Sequence, residues 1–357
     1  MATSSRPTPS RRPRTLQYHA TAGDRPLAAG RVIVVGLVAF GLAALLNADS
    51  LSALANRQPF GWKRTVARGV LAPVRELSHV TRLNEPRAAI QEAIDRDPEA
   101  GTRTRSVVTA TTRPAAAPPP AIRLRRPTAG EALRLWVGGD SMAQELGTSV
   151  VEKATDRGSI DADLDYRIST GLTRPDYFDW PAHLRDEVLP GRPEVIVIIF
   201  GANDAQAMEV DGTPFEVRTP QWQAEYRRRV ALTMDLLGGD GRLVIWVGQP
   251  HMRKAEFSER MDILDEIYRS EASRRPWIRF VDSRSVLAPE GGGYSAYLPD
   301  GDGRPQLARQ ADGIHLSRFG ADRLADAALA VLDVELAKTP RPRAAGRPGG
   351  STPSTTP

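Results

Sequence analysis

Four short apolar runs, each ending at glycine or aspartate, constrain the fold of this chain more than any other feature. They cover residues 133–137, 194–200, 243–247 and 278–281. Amphipathic patterns with helical spacing follow them, over residues 221–237, 256–273 and 318–336. Such runs are typical of strands buried on both faces, and strands that alternate with helices form parallel sheets. The sequence therefore predicts an α/β domain, with a parallel sheet between two layers of helices.

The first apolar run stops at Gly138 and Gly139, which are followed by Asp140 and Ser141 and then by a helical pattern over residues 143–153. A serine in this turn lies at the carboxyl end of the sheet, where open α/β sheets carry their functional sites. Aspartate is also a good helix N-cap, and a serine beside a cap needs no chemical role. This stretch alone leaves a helix cap and a nucleophile as equal alternatives.

A serine nucleophile needs a base, and the chain has five histidines. His315 follows Asp312 by three residues, so one loop could supply both the base and the acid that orients it. A histidine near a helix start is also commonly a cap or a surface residue. His251 follows the third apolar run and could line a pocket at the same edge, although a rim position without catalytic role is the more common case.

Two further segments offer donors for an oxyanion. The second apolar run ends at Gly201, Ala202, Asn203 and Asp204. The amide of Asn203 could donate to a developing negative charge, although glycine and Asn-Asp also favour an ordinary turn. Gly171 would let a backbone N–H approach a reacting carbonyl closely, because it has no side chain.

Together these segments resemble the four sequence blocks of the SGNH (GDSL-type) hydrolase superfamily, in order and in spacing. The blocks are residues 139–141, 171, 201–204 and 312–315. The resemblance covers residues 133–336 and implies the three-layer, flavodoxin-like SGNH hydrolase fold. A finer pattern resembles a bacterial branch of this superfamily that is catalogued as a domain of unknown function, and it lies in residues 170–176, 178–181 and 246–250.

The resemblance implies a role for each candidate residue. Ser141 would be the nucleophile, His315 the base and Asp312 the acid that orients it. The oxyanion hole would consist of the N–H groups of Ser141 and Gly171 and the side chain of Asn203. The residues implied to support the site or line its pocket are Asp140, Gly201, Asp204 and His251.

The implied activity is a serine ester hydrolase that forms an acyl-enzyme and needs neither metal nor cofactor. Its substrate would be an acylated small molecule or glycan, with O-acetyl groups of cell-envelope carbohydrate as the expected target. An O-acyltransferase would use the same residues, and a non-catalytic domain that binds glycan or a partner is the alternative from another class. The chain has no cysteine, which excludes disulfides and thiolate metal sites. The sequence leaves the oligomeric state open.

The positive charge of the chain lies outside the predicted domain. The whole chain has a formal net charge of +5, yet residues 131–337 contain 24 Lys and Arg against 35 Asp and Glu. A surface that binds a nucleic acid duplex needs the opposite distribution. The charge pattern therefore excludes a nucleic-acid-binding module.

The remaining segments predict a membrane-anchored protein with a single transmembrane signal anchor. An apolar run without charge at 32–46 follows six arginines, which predicts that the domain lies outside the cytoplasm, at the cell membrane. The predicted segments are a disordered basic tail (1–30), the anchor (31–48), amphipathic juxtamembrane helices (49–96), a Pro/Ala/Thr-rich linker (97–130), the catalytic domain (131–337) and a disordered tail (338–357).

Overall fold

The computed structural model describes residues 29–58, 62–83, 121–128, 130–210 and 212–339. The predictions for the two tails and for most of the linker lie outside these residues. The helices are α1 (Ala29–Leu46), α2 (Ala48–Arg57), α3 (Trp62–Val80), α4 (Met142–Arg157), α5 (Trp180–His183), α6 (Pro220–Leu236), α7 (Ala255–Ser273), α8 (Ser283–Leu287) and α9 (Arg318–Ala337). The strands are β1 (Leu133–Gly139), β2 (Ile160–Tyr166), β3 (Val195–Ile199), β4 (Met208–Val210), β5 (Thr213–Phe215), β6 (Leu243–Val247), β7 (Ile278–Val281), β8 (Tyr297–Pro299) and β9 (Pro305–Leu307).

Five strands form one parallel sheet in the order β2-β1-β3-β6-β7. This is the flavodoxin-like order, in which the chain reverses direction across the sheet between β1 and β3 and ligands bind beside that point. Gly139 of β1 pairs with Ile199 of β3, so the turns that follow these two strands leave the sheet side by side. The predicted parallel α/β fold is confirmed.

The sheet is apolar on both faces because alternate strand residues point into opposite layers. In β3, Val195 and Val197 pack into the core beneath α4 and α9, whereas Ile196 and Ile198 pack into the core beneath α6 and α7. None of these four side chains is exposed. The continuous apolar run that predicted a buried strand therefore follows from helices on both sides of it.

Strand β2 is missing from the sequence-based prediction. Its aspartates, Asp161, Asp163 and Asp165, occupy every second position, so it has no continuous apolar run. It lies at the edge of the sheet and pairs with β1 alone, which leaves one side of the strand accessible to water. A polar edge strand of this kind carries the alternating pattern of a half-exposed strand instead.

Residues just before β1 also belong to the packed domain. Leu124 is buried in the core, the Arg123 N–H donates to the Gly241 carbonyl at 2.8 Å, and Arg125 Nε lies 2.8 Å from a carboxylate oxygen of Glu194. These contacts place residues 122–126 on the domain rather than in the predicted linker, because an apolar side chain and two arginine contacts hold them there.

Helices α1, α2 and α3 lie before the domain, and α2 and α3 fall in the segment predicted to form amphipathic helices. Within the described ranges, no helix combines the length and the apolar character that crossing a membrane requires. The transmembrane span predicted over residues 31–48 is thus not found.

Candidate active site

The turn between β1 and α4 presents Ser141 at the carboxyl edge of the sheet. Gly139 has a φ of +141°, and a Cβ there would lie 1.9 Å from the Ile199 carbonyl oxygen. Glycine is therefore required for the chain to leave β1 so close to β3. Asp140 Oδ1 accepts a hydrogen bond from the Met142 N–H at 2.8 Å, in the first turn of α4. The Asp140 side chain thus binds the first N–H of α4, while Ser141 is half-buried and makes no capping hydrogen bond of its own.

Ser141, His315 and Asp312 form one hydrogen-bonded chain. His315 Nε2 lies 2.9 Å from Ser141 Oγ, and His315 Nδ1 lies 2.6 Å from Asp312 Oδ2. Asp312 Oδ1 accepts the N–H groups of Ile314 at 2.8 Å and His315 at 3.0 Å. Burial acts to raise the pKa of Asp312, but these hydrogen bonds outweigh burial and lower it. An ionised Asp312 holds the imidazole so that Nε2 can accept the serine proton.

The side chain of Asn203 also lines this cleft. Its Nδ2 is buried and has no hydrogen-bond partner in the described part of the chain. Asn203 lines the cleft together with Ser141 and His315. A buried hydrogen-bond donor without a partner is energetically costly. An oxygen atom of a substrate at this place would accept its hydrogen bond. The N–H groups of Ser141 and Gly171 likewise donate to no protein acceptor among the described residues.

Asp204 anchors the loop that carries Gly171. Its fully buried carboxylate accepts the N–H groups of Leu172 at 3.0 Å and Thr173 at 2.8 Å and the hydroxyl of Tyr226 at 2.7 Å. A Cβ on Gly171 would lie 2.2 Å from Asp204 Oδ1, so this position requires glycine. Gly171 is not among the residues that line the cleft. Its place in the oxyanion hole stays a prediction.

Asp140 and Gly201 tie the two strand-end turns together. Asp140 Oδ2 accepts the Gly201 N–H at 3.0 Å. On the other side of the second turn, Gln249 Nε2 donates to the Phe200 carbonyl at 2.7 Å, and a Cβ on Gly201 would lie 2.8 Å from the Gln249 side chain. The resemblance implied supporting roles for Asp140 and Gly201 but none for Gln249. Only the fold brings the end of β6 against the end of β3.

Asp140 makes the stability of the domain depend on pH. Complete burial raises its pKa to about 7, against the lowering effect of the N–H groups of Met142 and Gly201. In an unfolded chain the carboxyl group titrates near pH 4. Between about pH 4 and pH 7 the folded chain therefore keeps a proton that the unfolded chain has released. The free energy of unfolding falls as pH rises through this interval.

We expect Asp140→Asn to flatten this dependence, because the amide does not titrate. Urea unfolding of both proteins between pH 4.5 and 7.5 measures the difference. The free energy of unfolding of the wild type should fall relative to that of the variant by up to about 1.4 kcal/mol per pH unit. Other buried carboxyls are common to both proteins and cancel in the comparison. Parallel curves for the two proteins would contradict the assignment.

His251 does not line the cleft. Its Nδ1 lies 3.4 Å from the hydroxyl oxygen of Ser258, and its backbone carbonyl accepts a hydrogen bond from Arg309 Nη1 at 2.6 Å. Burial lowers the pKa of the His251 ring. The residues that line the cleft do not include His251, whose ring contacts Ser258 of α7, so its implied place in the pocket stays a prediction.

The cleft around Ser141 and His315 has a volume of about 360 Å³. Several residues that line the cleft belong to none of the sequence motifs. They come from three segments that are distant in the sequence and that only the fold brings together. They are Gln144, Glu145, Ile168, Ser169 and Gln310. In the described residues, no group of three or more His, Asp or Glu side chains could hold a metal ion.

A comparison with solved structures matches part of this chain at low sequence identity. A GDSL-like lipase from Bacteroides thetaiotaomicron VPI-5482 matches with a TM-score of 0.42 and 13% identity, over 59% of this chain and 92% of the lipase. The structure of TesA matches with a TM-score of 0.39 and 18% identity, over 57% of this chain and 99% of TesA. A carbohydrate acetylesterase family member from Sinorhizobium meliloti matches with a TM-score of 0.39 and 17% identity, over 57% and 99% of the two chains.

The chain matches no curated protein. One family model, described as a protein of unknown function (DUF459), matches residues 134–331, which is more than half of the chain. This match confirms the predicted resemblance to a family of unknown function. The chain belongs to the DUF459 family.

Proposed function

We propose that the protein is a serine ester hydrolase that works through an acyl-enzyme. The observation that carries the proposal is the hydrogen-bonded chain from Ser141 through His315 to Asp312, with distances of 2.9 Å and 2.6 Å. A nucleophile in contact with a base, and a base oriented by an ionised acid, is the arrangement that activates a serine. A domain that only bound a ligand would have no need for such an arrangement.

In the proposed reaction, Ser141 Oγ attacks the ester carbonyl carbon while His315 Nε2 takes the serine proton. The carbonyl oxygen becomes negative, and Asn203 Nδ2 donates a hydrogen bond to it. The tetrahedral intermediate collapses, the C–O bond to the alcohol breaks, and His315 returns its proton to the leaving alkoxide. Water then attacks the acyl-enzyme, with His315 as base, to release the acid and restore Ser141.

The size and lining of the cleft support a small acyl group on a polar alcohol. A volume of about 360 Å³ lies within the range of small-ligand sites and holds an acetylated sugar unit. Polar side chains of Gln144, Ser169 and Gln310 line it. We therefore propose O-acetyl groups of cell-envelope carbohydrate as the substrate.

We propose that the protein acts outside the cytoplasm and that the exposed apolar surface of α1 contacts the cell membrane. The arginines before the apolar run support this orientation. Apolar side chains of α1 also remain exposed, among them Val35 and Phe40, and such surfaces mark contact with an apolar partner or membrane.

Labelling with a fluorophosphonate tests the proposed reaction, because these probes phosphonylate an activated serine. We expect full-length wild-type protein to gain one adduct, located on Ser141 by peptide mass spectrometry. Asn203→Ala should slow labelling and p-nitrophenyl acetate hydrolysis by about 10²- to 10³-fold, since an oxyanion donor is lost. A folded wild type that neither reacts with the probe nor hydrolyses the ester would overturn the proposal, as would an adduct on another serine.

A further inference from the structure

Glu145 lies one helical turn beyond the candidate nucleophile. Ser141 precedes the first residue of α4, and Gln144 and Glu145 follow it by three and four positions. Side chains with these spacings share one face of a helix, with about 5–6 Å between Cβ atoms. All three residues line the cleft. The carboxylate of Glu145 therefore stands close to the place where the ester reacts.

This carboxylate is half-buried and lacks a cation. Among the described residues, Glu145 has neither an ion-pair partner nor a side-chain hydrogen bond. Other half-buried or buried glutamates of the domain behave differently. Glu194 pairs with Arg125, Glu225 with Arg229 and Glu271 with Arg275. Because arginine neutralises these other glutamates, the unpaired carboxylate on the cleft wall leaves its charge available to a ligand.

The rest of the cleft wall has few exposed large apolar side chains. The side chains of Met142 and Leu316 are about 1% exposed, so they lie beneath the surface of the cleft. Of the described lining residues, Ile168 alone has a large exposed apolar side chain, at 54%. A short acyl group placed against Ile168 would direct the alcohol part of a substrate toward Gln144 and Glu145.

We infer that Glu145 selects substrates by charge, so that the cleft prefers short acyl esters of alcohols that carry an ammonium group near the ester, such as esters of amino sugars. Esters with a carboxylate at that place are disfavoured by repulsion. The inference rests on the proposed esterase activity and adds the class of alcohol to it. The alternative role for Glu145 is a favourable interaction with the positive end of α4, which would not depend on the substrate.

Three aryl acetates that differ in charge test the inference. They are (4-acetoxyphenyl)trimethylammonium, phenyl acetate and 4-acetoxybenzoate. Each is measured with the full-length wild type and with Glu145→Gln, so that differences in intrinsic reactivity cancel. We expect the variant to lose about tenfold in kcat/KM for the cation and to gain about tenfold for the anion. Phenyl acetate should change by less than about twofold, and 1 M salt should shrink both effects.

Glu266→Gln is the matched control, because it removes the same charge from an exposed position on α7 that does not line this cleft. It should leave the ratio of cation to anion turnover unchanged. An equal ratio in wild type and Glu145→Gln, or an equal loss for all three substrates, would overturn the inference. Failure of the wild type to hydrolyse phenyl acetate would instead overturn the proposed function, so the two failures are distinguishable.

Discussion

Alanine at either Ser141 or His315 is expected to lower kcat/KM for acetate ester hydrolysis by about 10⁴-fold or more. The two side chains are 2.9 Å apart at Oγ and Nε2, and neither can perform the reaction alone. Without the base, the serine keeps its proton, and without the serine, the base has no nucleophile to activate. The double variant should therefore be no slower than the slower single variant, because residues that act as one unit are not additive.

Kinetics of p-nitrophenyl acetate hydrolysis by the wild type, both single variants and the double variant measure this. Ser149→Ala is the matched control, since it makes the same substitution within α4, the helix that Ser141 directly precedes. Ser149 is fully buried, and its hydroxyl has no partner among the described residues. It should keep wild-type activity. Wild-type rates in Ser141→Ala would show that another residue is the nucleophile, and additive losses would show that the two side chains act separately.

The sequence predicts the central strands and the candidate triad because both depend on local pattern. Strands β3 and β6 are buried on both faces and leave continuous apolar runs, and β1 and β7 leave short runs that an arginine interrupts. Gly139 is required where the chain turns against Ile199, and such a turn is visible as glycine after an apolar run. Asp312 and His315 contact each other within one loop, so their spacing alone indicates the pair.

The sequence does not predict features that depend on distant contacts. Strand β2 is stabilised by its pairing with β1, and its alternating aspartates interrupt the apolar run that would predict a buried strand. The ring of His251 points toward Ser258, although its position after β6 resembles that of a pocket residue. Glu145 is an ordinary helix residue in the sequence. Its place in the cleft appears only when loops from other strands close around it.

Arg309 is the clearest case of a residue without a sequence signal, because its role rests on contacts from separate segments. Its side chain is 1% exposed and, among the described residues, pairs with no carboxylate. Nη1 donates to the His251 carbonyl and Nη2 to the Ile314 carbonyl, both at 2.6 Å. The guanidinium also lies over the Tyr294 ring, 5.4 Å from its centroid. Burial lowers the pKa of Arg309 to about 10, so it remains charged at neutral pH.

These contacts fix the segment that carries the candidate base. Ile314 directly precedes His315, and the backbone of Arg309 pairs with that of Leu316. Arg309 therefore holds both ends of the loop that contains Asp312. Arg253 supports the same loop from outside, with Nη1 donating to the Ala311 carbonyl at 2.8 Å. Small displacements of a catalytic base are costly, because the reacting atoms must meet within hydrogen-bond distance. Arg309 is therefore a positioning residue for the proposed reaction.

Arg309→Met is expected to lower the free energy of unfolding by about 3 kcal/mol, since two buried carbonyls lose a charged donor. For a domain of this size, Tm should fall by about 6–12 °C. At a temperature where the variant is fully folded, kcat should fall markedly while KM changes little, because Ser141 and the cleft wall on α4 are untouched. Arg309→Lys keeps the positive charge but lacks the planar guanidinium that donates to both carbonyls. We therefore expect it to retain only part of the wild-type kcat.

Thermal unfolding and steady-state kinetics of the two variants measure these effects, with Arg323→Met as the matched control. Arg323 also donates to a carbonyl, that of Pro299 at 3.0 Å, and lies over the ring of Phe319. It does so at the surface, where water replaces a lost donor, so the cost should stay below about 1 kcal/mol. Equal destabilisation by Arg309→Met and Arg323→Met would show that burial of the guanidinium is unimportant. A stable Arg309→Met protein with unchanged kcat would show that the base holds its place without this contact.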